Sequence, residues 1–83
     1  MSPRSFRPDA SLPLLGKAVK ALRAEAGLTQ EGLATRAGTT TSYISRVERG
    51  NRNPTWAGLS RLAEGLGVPR WVLVKRVDEW GGG

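Results

Sequence analysis

Four glycines divide this chain into pieces too short for anything but a bundle of small helices. Gly27, Gly38, Gly50 and Gly67 each follow a run with helical apolar spacing. A glycine just past such a run supplies the left-handed residue that closes a helix. Threonine returns after the first three, at Thr29, Thr40 and Thr55, where a side-chain oxygen caps the next helix. The chain is thus expected to stop and restart its helices at short intervals.

Leu15, Ala18, Val19, Leu22 and Ala26 form the apolar stripe of a first helix, with Lys17, Lys20 and Ala24 elsewhere on its wheel. Leu28 is placed for the hydrophobic contact that accompanies a glycine cap. Leu33, Ala34 and Ala37 mark a short second helix, and Thr40 opens a third that runs to Arg49. Asn51 to Pro54 is a loop. In the fourth helix Trp56, Leu59, Leu62, Ala63 and Leu66 are expected to face inward, Trp56 as a core residue. Pro69 suits the first turn of a fifth helix that carries Trp71, Val72, Leu73, Val74, Val77 and Trp80. The expectation is an all-α, compact five-helix domain over residues 12–80. A flexible basic arm precedes it over residues 1–11, punctuated by Pro3 and Pro8, and a glycine tail follows at 81–83.

Composition narrows the chemistry. With 83 residues there is one domain and a modest core. Cysteine and histidine are both absent, which removes disulfides, thiolate metal sites, and the usual general base and metal ligand. Of the seven carboxylates only Asp78 and Glu79 adjoin, so a nuclease-like acidic metal cluster is not expected. An enzyme is not expected, and neither is a metal, a cofactor or a small-molecule ligand. The net charge of +6 and pI near 11.2 favour a polyanionic partner, nucleic acid before an anionic membrane. No apolar run approaches the ~18 residues of a membrane span, and Met1 to Pro13 lacks a signal-peptide core. A cytoplasmic protein without a membrane partner is the expectation.

The third helix is the informative one. On a helical wheel Ile44 and Val47 share one side, while Ser42, Ser45, Arg46 and Arg49 form a continuous polar face opposite, bordered by Thr41 and flanked by Tyr43. Solvated helix faces favour Glu, Lys, Gln and Ala. This one carries short hydroxyls, which allow close approach, and forked donors that match guanine edges and phosphates. From Arg36 to Arg52 there are four arginines against one glutamate. The face reads as a contact surface.

The stretch "LTQEGLATRAGTTTSYISRVERGNRNPTWAGLSRLAEGLGV", Leu28 to Val68, resembles the helix-turn-helix domain of the lambda repressor/Cro (XRE-like) family. Thr29-Gln30, Leu33-Ala34, Gly38, Tyr43-Ile44-Ser45, Val47-Glu48, Gly50, Pro54 and Leu62-Ala63 carry the resemblance in register. Within that family the short basic chain with "YIS" and "ERGNRN" is similar to controller proteins of restriction–modification operons, and small phage repressors and antitoxin regulators share the pattern. Three departures stand out. Gly32 and Gly58 replace the acidic residues that would complete capping boxes, and Thr39 stands where an aliphatic residue is common before the third-helix cap. A marginally stable monomer is expected.

The resemblance implies a bacterial or phage transcriptional regulator, nucleoid-associated when bound. It would act as a homodimer on a pseudo-palindromic operator, with the recognition helix, about 41–49, in the major groove of double-stranded DNA. Thr41, Ser42 and Arg46 stand where the family touches base edges, Arg46 as the guanine reader. Tyr43 could contact a thymine methyl or a phosphate, or equally pack its ring on the second helix. Gln30 heads the second helix, where backbone N–H groups attract phosphate. Ser45, Arg49, Asn51, Arg52 and Asn53 are expected to grip the backbone. Glu48 falls towards the buried side, and the family pairs it with the position occupied by Arg23, a structural salt bridge. On the fifth helix Trp71, Val74 and Trp80 exceed what the core needs and suggest a dimer interface. Arg4 and Arg7 could lie along DNA, and Glu31 is a candidate contact to RNA polymerase. An alternative is an antitoxin or adaptor whose fifth helix binds another protein, with DNA binding secondary.

Overall fold

A computed structural model describes the backbone of residues 8–80 and the side chains of residues 12–80. Within these described residues five helices follow one another: α1 (Pro8–Glu25), α2 (Gln30–Ala37), α3 (Thr41–Glu48), α4 (Trp56–Leu66) and α5 (Arg70–Trp80). Among the described residues there is no strand, and the fold is all-α. Among the described residues no helix is long and apolar enough to cross a membrane.

The threonine–glycine punctuation works as local chemistry demands. Thr29, Thr40 and Thr55 accept hydrogen bonds from the backbone N–H groups of Gly32, Tyr43 and Gly58 at 2.9, 3.0 and 3.1 Å. Gly38 and Gly67 close α2 and α4 in the left-handed conformation, at φ 70° and 76°. Leu28 donates its N–H to the Arg23 carbonyl across Gly27, a Schellman closure of α1.

Two boundaries differ from expectation. α1 begins at Pro8 rather than beyond residue 11, and Pro13 lies inside it. Proline fits the first helical position, where its missing N–H is no loss. The backbone of Leu12 and Pro13 also lies against Gly50, whose notional Cβ would stand 3.2 Å from Pro13, so a contact distant in sequence supports this turn. Residues 1–7, with Arg4 and Arg7, and the glycine tail lie outside the described residues. Pro69 precedes α5 by one residue and accepts a hydrogen bond from Val72.

The core joins Leu15, Ala18, Val19 and Leu22 of α1 to Leu33 and Ala37 of α2, Ile44 and Val47 of α3, Leu62, Ala63 and Leu66 of α4, and Leu73 of α5. Val72 and Val77 are half-buried against it. Glycine sets two helix contacts. A Cβ on Gly16 would stand 2.5 Å from the carbonyl oxygens of both Val47 and Glu48, so α1 crosses the end of α3 backbone to backbone. A Cβ on Gly65 would meet Leu33 at 2.9 Å and Ala37 at 3.1 Å, and the Arg36 Nε donates to the Gly65 carbonyl at 2.7 Å.

Trp56 is not a core residue. It is 61 % exposed, and the Arg70 guanidinium stacks 4.5 Å from its ring. Its wheel position lies at the edge of the α4 apolar arc, in the first turn, where Leu59, Leu62, Ala63 and Leu66 already fill the interior. The indole therefore spreads over the surface between α4 and α5.

Candidate nucleic-acid interface

α3 is held from behind. Ile44 and Val47 are fully buried, and α1 runs against its C-terminal end. Because both apolar anchors sit on one side of a two-turn helix, the opposite side must face outward. Thr41, Ser42, Arg46 and Arg49 are exposed there, and Ser45 is half-buried beside them. Asn51, Arg52 and Asn53 are exposed in the loop that follows, whose Pro54 is buried.

The back of α3 carries a polar lock. Arg23 Nε donates to Glu48 Oε2 at 2.6 Å, and its second guanidinium nitrogen donates to Oε1 at 3.1 Å. This is a bidentate pair that joins α1 to α3. The third nitrogen donates to the Leu28 carbonyl at 2.9 Å. The Glu48 side chain is only 4 % exposed and that of Arg23 15 %. The hydrogen bond to Glu48 raises the Arg23 pKa above its ordinary value, outweighing the effect of burial. Gln30 completes the set, its amide donating to Glu48 Oε1 at 3.0 Å. Three helices therefore meet on one carboxylate, and the Gln30 side chain is positioned by Glu48 at the head of α2. No sequence signal pointed to this third bond.

Tyr43 is half-buried, its hydroxyl against the first turn of α4. A Cβ on Gly58 would stand 2.7 Å from the Tyr43 hydroxyl, and Arg52 stacks 5.2 Å from the ring. Gly58, expected only as a lost cap, makes room for this tyrosine. Glu31 is exposed on α2.

The three α5 residues expected at an interface do not share a face. Trp71, 62 % exposed, and Val74 line an open groove with Trp56, Pro69 and Arg70. Trp80 lies on the other side of α5, between Lys17 and Arg76, whose cationic groups stand 5.7 and 5.5 Å from its ring. Arg76 also reaches across to Glu25 of α1 at 3.0 Å, and that hydrogen bond lowers the Glu25 pKa.

A family model described as a helix-turn-helix domain matches residues 14–73. The chain belongs to the helix-turn-helix family of the lambda repressor/Cro type. It is 47 % identical over 66 residues to an uncharacterised HTH-type transcriptional regulator of Sinorhizobium fredii, covering 80 % of this chain and 86 % of that one. It is 39 % identical over 60 residues to the immunity repressor of Bacillus phage phi105, covering 72 % of this chain but 42 % of the repressor. The restriction–modification controller protein C.AhdI of Aeromonas hydrophila has a similar structure, with a TM-score of 0.75, 38 % identity, and 77 % and 97 % of the two chains covered. The controller protein C.Esp1396I is likewise similar, at TM-score 0.77 and 33 % identity, with 92 % of each chain covered. The helix-turn-helix family is one of DNA-binding transcriptional regulators, not of enzymes, and α2 and α3 are its helix-turn-helix.

Proposed function

We propose that this helix-turn-helix protein is a homodimeric, sequence-specific regulator that reads a pseudo-palindromic operator and controls a restriction–modification operon. The observation that carries the reading is the two-sidedness of α3. Its apolar side is fully buried while Thr41, Ser42 and Arg46 stand free to meet base edges. Arg46 reads a guanine; Ser45, Arg49, Asn51, Arg52 and Asn53 hold the backbone on either side. Gln30, oriented by Glu48, adds a backbone contact at the head of α2. The likeness to C.AhdI and C.Esp1396I supports the controller role.

Dimerisation would bring two recognition helices about one DNA turn, ~34 Å, apart. The groove of Trp56, Trp71 and Val74 is the apolar surface that suits it; Trp80, occupied against α1, is left out of the proposed interface. Selection of bound duplexes from a random pool tests the whole reading, with recovery of an inverted repeat as the expected result. Arg46→Ala should cost ~1–3 kcal/mol on the selected site and relax preference at one base pair in each half. Loss of affinity without loss of preference would remove Arg46 from readout. The exposed Trp56–Trp71 groove also keeps open the adaptor reading. In that case the protein elutes as a monomer alone and associates only with a foreign chain.

A further inference from the structure

Among the described residues, most arginines outside the recognition helix have structural work. Arg23 binds Glu48, Arg36 binds the Gly65 carbonyl, Arg70 binds Ser60 and covers Trp56, and Arg76 binds Glu25. Arg61, in the middle of α4, is exposed and takes part in no ion pair among the described residues. Its place is specific nonetheless. It lines a cleft of about 230 Å³ with Thr39, Tyr43, Arg52, Thr55 and Gly58. The cleft lies between the α2–α3 turn and the first turns of α4, along the flank of the recognition helix.

Two arginines thus line one cleft from different elements, Arg52 from the α3–α4 loop and Arg61 from α4, while the Arg52 guanidinium is stacked on the Tyr43 ring. Among the described residues no carboxylate lines the cleft, and its polar side chains are those of arginine, threonine and tyrosine. A forked donor matches two oxygens of a phosphodiester, and stacking limits the conformations it must give up on binding. Like charges gathered on one cleft, without an acidic partner, are best relieved by an anion. We propose that the cleft seats a DNA backbone phosphate between Arg52 and Arg61. The inference rests on the DNA-binding reading and adds Arg61, on a helix outside the helix-turn-helix, to the contact set. A phosphate here fixes how far α3 rolls in the groove and carries no sequence information.

The experiment uses the full chain with the selected operator and a random duplex, followed by fluorescence anisotropy across a salt series. Arg61→Gln should lower the slope of log affinity against log salt by about 0.9, which is roughly 8-fold in affinity at 0.1 M salt, equally on both duplexes. An unchanged melting temperature is expected for this exposed site and separates lost contact from lost fold. A scan of single methylphosphonate substitutions then locates the contact. One phosphate in each half-site should weaken the wild type when neutralised and leave Arg61→Gln indifferent. An unchanged salt slope, or equal sensitivity of both proteins at every phosphate, would overturn the proposal. Absence of any selected operator would sink the sequence-specific reading instead, while the random-duplex comparison would still test the cleft.

Discussion

Replacing Arg23 by Met leaves the Glu48 carboxylate, 4 % exposed, without its cation. Among the described residues the one remaining donor is the Gln30 amide at 3.0 Å, and the Leu28 carbonyl loses its bond from Arg23 as well. A stranded buried charge costs about 3–5 kcal/mol; the surviving Gln30 bond puts the expectation near 3 kcal/mol. Glu48→Leu should cost less, because the guanidinium keeps Leu28 and its longer side chain can reach water. The double variant strands neither charge, so it should be more stable than the two losses together imply, by roughly 1–3 kcal/mol of coupling. At ~4–8 °C per kcal/mol for a domain of this size, Arg23→Met alone should lower the melting temperature by more than ~12 °C. Urea titrations of the four proteins followed by far-UV circular dichroism measure the cycle. Losses that add to within ~0.5 kcal/mol would show that the carboxylate is not stranded and that the lock contributes little.

Gly16→Ala should destabilise by ~1–3 kcal/mol despite better helix propensity, because its Cβ meets two backbone carbonyls that cannot step aside; chemical denaturation at constant m-value checks it. The Glu25–Arg76 pair gives a pH signature. A lowered folded-state pKa means its contribution is present above the usual glutamate range, near pH 4.3, and is lost as pH falls through the folded value. Wild type should therefore melt slightly above Glu25→Gln at pH 7 and low salt, with the gap closing in acid. Trp71→Ala and Trp80→Ala should part ways: sedimentation should show the first losing dimer, and melting should show the second losing stability without loss of dimer.

Much of the fold is legible because its signals are local. Each threonine cap acts within three residues, and each glycine closure depends on one backbone angle, so helix starts at Gln30, Thr41 and Trp56 follow from short words in the chain. The start of α1 does not, since Pro8 can open a helix and Pro13 can break one, and what supports that turn is Gly50 far downstream. Trp56 misleads for a related reason. Periodicity gives its angle on the wheel but not whether any neighbour covers the first turn. At the site, the polar face of α3 is visible as a pattern. The Gln30 bond to Glu48 and the fit of Tyr43 over Gly58 are meetings of distant residues that no spacing encodes. Gly16 did leave a trace. A glycine inside an apolar helix stripe costs ~1 kcal/mol against alanine, and such a cost asks for a close neighbour.

All three tryptophans lie at the surface, at 61, 62 and 39 % exposure, and none joins the core. The indole signal of this protein therefore reports on its outside. In the monomer, unfolding takes Trp56 and Trp71 from mostly wet to fully wet surroundings, so their emission should shift little through a denaturant transition, even where circular dichroism records complete loss of helix. Covering Trp56 and Trp71 with another protein surface would instead move emission to shorter wavelength while the fold stays unchanged. An optical channel usually reserved for folding becomes, in this chain, a gauge of assembly.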